Sequence, residues 1–261
     1  QRSRVPVLAI AAHIPAAEIG SGYFQETHPE QLFVECSDFC EMVSTPAQLP
    51  RLLDIAIRTA VERRGVAVLV IPGEIFLEKE HHRQGGAPIR AIDRIVRPTD
   101  AQLQDVAAAL NAAEKVTILG GAGVAGAHDA VVELAGALQA PVVHALRGKE
   151  FLEYDNPYDV GMTGLLGFSS GYRAIEKCDT LLMLGTDFPY QQFFPSKATI
   201  IQLDIRGEQI GRRCPVDLPL VGDVGDTAET IALLWPEGAA PATDPALGEI
   251  VAALRASSRR E

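Results

Sequence analysis

The sequence predicts an α/β protein built on parallel β-sheet. Short apolar runs alternate with helix-patterned stretches, the arrangement of βαβ units. Several of those runs end in glycine or in a small polar residue. With 261 residues, 47% of them hydrophobic, the chain can bury a sizeable core. That length exceeds the usual single domain, so one large or two modest domains are expected.

In chain order, Val5-Pro-Val-Leu-Ala-Ile-Ala-Ala12 reads as a buried strand that begins almost at once. A chain opening this way, and ending on the polar stretch Arg255 to Glu261, is expected to be a fragment of something longer. A polar, Gly-containing segment, Glu18 to Glu26, follows the first strand. Thr45 and Pro46 supply an N-cap and an N1 proline for a helix. Leu49, Leu52, Leu53, Ala56, Ile57 and Ala60 then recur at helical spacing. Gly65 is expected to stop that helix, and Val66 to Ile71 is a buried strand ended by Pro72-Gly73. From Glu74 to Pro98 the pattern lapses into charges, His81-His82, Gln84, Gly85, Gly86 and Pro88, which reads as a linker with solvated histidines. Thr99 caps a second helix reaching about Asn111. Strand-like runs follow at 116–119, 141–145, 180–184, 199–204 and 219–221, with helical patterns at 126–138 and 168–177 between them. The division drawn from this is 1–78 for a first domain portion, 79–98 for a linker, 99–237 for a central domain and 238–261 for a tail.

The formal charge of −11 argues against nucleic-acid binding, which needs clustered Lys and Arg. Cys36, Cys40, Cys178 and Cys214 form no CxxC pair and read as ordinary thiols of a reducing compartment, with no metal site expected. No apolar run reaches membrane-spanning length and no signal peptide stands out. The expected location is cytoplasmic.

Two Gly-rich turns carry the functional signal. Val160-Gly-Met-Thr-Gly-Leu-Leu-Gly-Phe-Ser-Ser-Gly171 and Leu184-Gly-Thr-Asp-Phe-Pro-Tyr190 hold few charges and lie beside apolar runs. Glycine permits close backbone approach, so these loops suit a large, flat, partly apolar ligand. Val116 to Leu119 runs straight into Gly120-Gly-Ala-Gly-Val-Ala-Gly126, where Gly121, Gly123 and Gly126 satisfy G-x-G-x-x-G in a strand–turn–helix setting. That motif suits an anion at the helix start, and close packing of helix on strand explains it nearly as often. A dinucleotide site would also want an acid after the next strand, but Leu146-Arg147-Gly148-Lys149 is basic. Arg147 could meet a pyrophosphate or stand in a solvated turn. Three later strands end at Thr186-Asp187, Asp204 and Asp223, a rim suited to an extended dinucleotide on a Rossmann-like sheet. Asp204 could accept from ribose or adenine, or equally cap a turn.

These motifs resemble one family, the thiamine-diphosphate-dependent pyruvate oxidases and the quinone-reducing bacterial pyruvate dehydrogenases among them. The resemblance is carried by Val5 to Pro15, Ile19-Gly-Ser-Gly-Tyr-Phe-Gln-Glu-Thr-His-Pro29, His144-Ala-Leu-Arg-Gly-Lys-Glu150, Tyr154 to Leu165 and Gly167-Phe-Ser-Ser-Gly171. It covers about residues 5 to 225. It implies the later part of a thiamine pyrimidine-binding α/β domain, then a whole central FAD-binding domain. Thr163, Gly164, Leu165 and Leu166, with Thr186, Asp187, Phe188, Pro189 and Tyr190, would contact FAD, and Asp204 would lie toward the adenosine. Gly121, Gly123, Arg147 and Asp223 complete the expected cofactor set. Phe24 and Gln25 would line the thiamine and substrate pocket.

By the same resemblance, the catalytic glutamate lies upstream of Gln1, and the motif for Mg2+ and the diphosphate lies downstream of Glu261. Glu18 and Glu26 are not expected to replace them. The complete enzyme would decarboxylate pyruvate oxidatively at thiamine diphosphate and pass electrons through FAD to a quinone or oxygen. It would be a homo-oligomer, and relatives associate peripherally with membranes. Two other readings stay open: an acetohydroxyacid synthase-like enzyme with a structural flavin or none, and a non-catalytic nucleotide-binding or oligomerisation module.

Overall fold

The structure, a computed structural model, describes residues 3–79, 92 and 94–234. The His81-His82 segment and the expected tail at 238–261 lie outside the described residues. The chain divides into two units, residues 1–94 and 95–261.

The first unit contains β1 (Val7–His13), α1 (Pro29–Phe33), β2 (Phe39–Met42), α2 (Leu49–Arg63) and β3 (Val66–Pro72). The three strands are parallel in the order β1-β3-β2, with Val7 opposite Val66 and Phe39 opposite Ala67. Central β3 is buried along nearly its whole length, as a strand flanked on both sides should be. Its Ala67, Leu69 and Ile71 alternate onto one face, where they pack with Ala56 and Ala60 of α2. Sequence reasoning missed β2, which is only four residues long and carries Glu41. The helix also begins differently from expectation. Pro46–Gln48 forms a 3-10 turn, Thr45 makes no side-chain cap, and α2 proper starts at Leu49. At its end Arg64, not Gly65, takes the left-handed conformation, with φ 50°. Gly65 packs against the Asp38 side chain, whose carboxylate a Cβ there would meet at 1.7 Å and displace.

The second unit contains α3 (Asp100–Ala112), β4 (Val116–Gly120), α4 (His128–Leu138), β5 (Val142–His144), α5 (Lys149–Leu152), β6 (Asp159–Met162), α6 (Ser169–Lys177), β7 (Thr180–Leu184), β8 (Thr199–Asp204), β9 (Leu218–Val221) and α7 (Val224–Leu234). Six parallel strands run in the order β6-β5-β4-β7-β8-β9. Counted from the unit's first strand, this is the doubly wound order 3-2-1-4-5-6, the Rossmann-like sheet the sequence predicts. Thr99 opens α3 with a capping box to Gln102, as expected. Adjacent residues face opposite layers: Ile118 and Leu182 join the core with α3, α4 and α7, while Leu119, Leu181 and Met183 join the one with α6.

Two connections of this unit, β7–β8 and β8–β9, have no α-helix. Between β7 and β8 the chain makes only the 3-10 turn Gln191–Phe193, and Phe188, Tyr190, Phe193 and Phe194 cover that part of the sheet. Phe188 is met edge-on by Tyr190, Phe193 and Phe194 at ring-centre distances of 5.4, 6.0 and 5.7 Å. The strand β6, also missed in the sequence, is another four-residue element, broken by Gly161. Among the described residues no helix is long and apolar enough to cross a membrane.

Candidate functional site

Strand order reverses between β4 and β7, and the carboxyl ends of these neighbours form the crevice where ligands of doubly wound sheets bind. The loops leaving the strands extend the sheet's hydrogen bonding beyond it. Gly121 N–H donates to Leu184 O at 3.0 Å, Gly123 N–H to Gly185 O at 2.9 Å, and Gly185 N–H to Leu203 O at 2.8 Å. On the other side Ala145 N–H donates to Gly120 O at 2.9 Å and Thr163 N–H to His144 O at 3.2 Å. Every strand end on this rim is thereby fixed to its neighbour by backbone.

Gly121 and Gly123 lie at the floor of the crevice, packed against the opposite loop. A Cβ on Gly121 would sit 2.6 Å from Gly185 O and Thr186 Cα, and one on Gly123 would sit 2.6 Å from Gly185 Cα. Gly185 itself has φ +54°, and its Cβ would meet Gly123 Cα at 2.5 Å. The three glycines interlock backbone on backbone. A 3-10 turn at Ala122–Val124 intervenes before α4, which starts at His128 with Asp129 in its first turn. The close packing at Gly121 and Gly123 is of loop on loop, where the sequence suggested helix on strand.

Beside this floor, the loop after β6 meets the loop after β7. Gly164, at φ +107°, places its backbone where a Cβ would be 3.1 Å from the Phe188 ring and 3.6 Å from Tyr190. Thr163 and Thr186 are buried, while Asp187 and Pro189 are exposed. Leu165 and Leu166 are 66% and 72% exposed, an apolar pair presented to solvent at the rim. Thr163 Oγ1 and, at the start of α6, Ser170 Oγ are buried without a hydrogen-bond partner in the protein. An orphaned buried hydroxyl costs about 1–3 kcal/mol, so such groups beside a crevice suit a polar ligand chain.

The acidic ends are arranged differently from one another. Asp204 is buried at the end of β8, and its Oδ1 accepts the Arg206 N–H at 2.9 Å, with Arg206 Nε at 3.7 Å. Burial pushes its carboxyl above the usual carboxylate range, against the pull of Arg206. One oxygen therefore caps the local turn. Asp223 Oδ2 accepts the Val96 N–H at 2.6 Å, anchoring the segment that leads into α3. Arg147 lies in the 3-10 turn Leu146–Gly148, whose Gly148 packs on Gly120, a Cβ there falling 2.6 Å from Gly120 O. Phe24 and Gln25 belong to the first unit, in the loop after β1.

Two features escaped the sequence. Arg213, from the loop before β9, donates through Nε to Asp187 Oδ1 at 2.8 Å, joining the loops that follow β7 and β8. No local signal links residues so far apart in the chain. His144 is buried at the end of β5, 3.4 Å from Asp159. Burial, with the Lys149 charge adding to it, lowers the imidazole to about 4, so the pair is not an ion pair near neutrality. The histidine appeared within a longer motif but carried no sign of its burial.

Comparison with known proteins gives a consistent picture. Residues 103–231 match the family model "Thiamine pyrophosphate enzyme, central domain". A protein of Pseudomonas amyloderamosa known as the uncharacterized 42.6 kDa protein in the isoamylase 3' region is 60% identical, over 90% of this chain and 59% of its own length. The "Putative thiamine pyrophosphate-containing protein YdaP" of Bacillus subtilis is 38% identical, over 84% of this chain and 38% of its own. A "Probable acetolactate synthase large subunit" of Methanocaldococcus jannaschii is 29% identical, over 84% and 39%. The chain thus spans 38% to 59% of the length of these relatives. The fold matches a solved thiamin diphosphate-dependent enzyme, so described as putative, from Mycobacterium smegmatis. That match has a TM-score of 0.73 at 22% identity and covers 92% of this chain and 48% of the other. Over residues 103–231, the chain carries the central domain of the thiamine pyrophosphate enzymes.

Proposed function

We propose that this chain frames the cofactors of a thiamine-diphosphate-dependent enzyme of the acetolactate synthase-like kind, acting on pyruvate and holding FAD along the carboxyl rim of the six-stranded sheet. The observation that carries this reading is the convergence of Thr163–Leu166 with Thr186–Tyr190 beside the β4/β7 switch point. In this reading Leu165, Leu166 and Tyr190 take the flat ring, and the Thr163 and Ser170 hydroxyls face the polar chain. Arg147 serves the pyrophosphate and Asp204 the adenosine, while Phe24 and Gln25 line the thiamine pocket. Thiamine diphosphate supplies the decarboxylation chemistry when bound, and the residues of this chain supply placement and shielding from water. Among the described residues no group of three or more His, Cys, Asp or Glu could hold a metal ion.

One of the named relatives favours this branch, since the Methanocaldococcus protein is described as a "Probable acetolactate synthase large subunit". A second reading, oxidative decarboxylation of the pyruvate oxidase type, is favoured by the run Gly185-Thr-Asp-Phe-Pro-Tyr190 and the other motifs of the resemblance. One experiment separates them. The native polypeptide is first examined for a flavin spectrum, then supplied with thiamine diphosphate, Mg2+ and pyruvate. Condensation of two pyruvates with loss of one carbon dioxide, without bleaching of the flavin, supports the leading reading. Bleaching by pyruvate transfers it to the oxidase. A colourless protein that does not take up FAD refutes the flavin site.

A further inference from the structure

The loop that carries Phe24 and Gln25 is organised around a single carboxylate. Glu26 Oε1 accepts the Gly20 N–H, and Oε2 accepts the N–H groups of Gly22 at 2.7 Å and Tyr23 at 3.1 Å. The Glu26 N–H returns a bond to Tyr23 O at 2.9 Å. Successive amides turned toward one anion form a nest. Gly20 and Gly22 hold φ +90° and +76° with open space around them, so they are there for conformation. Hydrogen bonds from those amides, Gly20 foremost, hold the Glu26 carboxyl below its usual range, with His28 adding to the effect. Glu18 is separately engaged, its carbonyl accepting from Ser21 Oγ at 2.7 Å. The loop is hooked at its start as well, where the Ala16 N–H donates to both Glu74 oxygens at 2.9 and 3.0 Å.

What the nest presents is unusual. Gln25 adopts a left-handed φ of 66° without being glycine, a conformation that persists only where the surroundings hold it. Phe24 is 80% exposed, a large aromatic displayed on a tethered loop. Rigid display of an exposed aromatic is how a side chain is prepared to fill a pocket, because the ordering cost falls before the encounter.

We infer that Glu26 is a positioning residue: its carboxylate closes the nest that presents Phe24 and Gln25 to the thiamine and its substrate. The inference rests on the proposed placement of those two residues in the thiamine pocket. Glu26 itself touches no reacting atom in this scheme. Its substitution should therefore act through the loop.

The test uses the native polypeptide with thiamine diphosphate, Mg2+ and pyruvate, and compares wild type with Glu26→Gln and Glu26→Ala. Amide hydrogen exchange is read by mass spectrometry over the peptide containing Gly20 to Tyr23. Exchange should speed up roughly three- to tenfold in Glu26→Ala. The change should be smaller in Glu26→Gln, which keeps one acceptor oxygen. Turnover should fall in the same order, with thermal stability and flavin content unchanged. Unaltered exchange in Glu26→Ala overturns the nest. Faster exchange with unaltered turnover overturns the positioning role. If wild type shows no thiamine-dependent turnover while the exchange result holds, the failure lies with the proposed enzyme and the positioning role falls with it.

Discussion

Replacing Gly123 by alanine tests whether the crevice floor is set by interlocked backbone. The added Cβ would lie 2.6 Å from Gly185 Cα and 3.0 Å from Gly185 O, both backbone atoms that no side-chain rotation can remove. Overpacking of this kind costs typically about 1–3 kcal/mol, and a backbone obstacle belongs at the upper end. Restricting the unfolded chain returns about 0.4–1 kcal/mol, which leaves a net loss of about 1–2.5 kcal/mol. For a unit of this size each kcal/mol shifts Tm by about 2–4 °C, so thermal denaturation should show a fall of roughly 3–8 °C. Gly126→Ala is the control. Gly126 has φ +78° and nothing within 4 Å of its would-be Cβ, so only the left-handed conformation, worth about 1–2 kcal/mol, is at stake. About half of that is offset by the same unfolded-state effect, which leaves a smaller net loss of about 0.5–1 kcal/mol. Equal losses at the two positions would refute the interlock, and a stable Gly123→Ala would refute it outright.

Two further outcomes follow from the rim. Asp204→Ala should weaken FAD binding about tenfold in a fluorescence titration, and Asp204→Asn, which keeps the turn-capping oxygen, should weaken it less; equal, unchanged affinities would remove Asp204 from the site. His144 is held near 4 in the folded state against an ordinary 6.5, so its stabilising share is complete above about 6.5 and declines as pH falls toward 4. Between pH 7 and pH 5 urea unfolding should show a loss of about 1–2 kcal/mol that His144→Gln abolishes, and an identical slope in the variant would show that the imidazole is not the titrating group.

Most of the second unit was legible because each of its long strands is buried on both faces. Such strands read as unbroken apolar runs, as in Thr180–Leu184 and Thr199–Asp204, whose bounds match the expected ones. Two of the short strands were not legible for the opposite reason. Phe39–Met42 and Asp159–Met162 have four residues each and include Glu41, Asp159 and Gly161, too few apolar positions for a period to emerge. At the site, Gly164 and Phe188 were each recognisable, but their contact was not. It arises because the β7–β8 connection lacks a helix and folds its aromatic residues onto the sheet beside the loop after β6. The hydrogen bonding of Glu26 was hidden in a similar way, since a lone glutamate carries no mark of the three amides it gathers.

This division between backbone and side chain bears on what the crevice can distinguish. Its floor is built from Gly121, Gly123 and Gly185, and its rim is tied by main-chain bonds from Thr163 across to Leu203. Groups of this kind fix a shape, but they give the same surface to any dinucleotide lying over them. Discrimination must come from the few side chains that project from the frame: Leu165 and Leu166 at the apolar end, and the Asp187–Arg213 pair where the loops after β7 and β8 meet. An Asp–Arg pair that remains partly exposed contributes only about 0.2–1 kcal/mol to stability, so its value lies more in holding two loops in register than in strengthening the fold. A thiamine enzyme that uses its flavin as a scaffold and one that uses it as an electron carrier can therefore share this floor. In the proposed placement of the flavin, the difference between them lies in how the ring end is enclosed, where Leu165 and Leu166 are exposed.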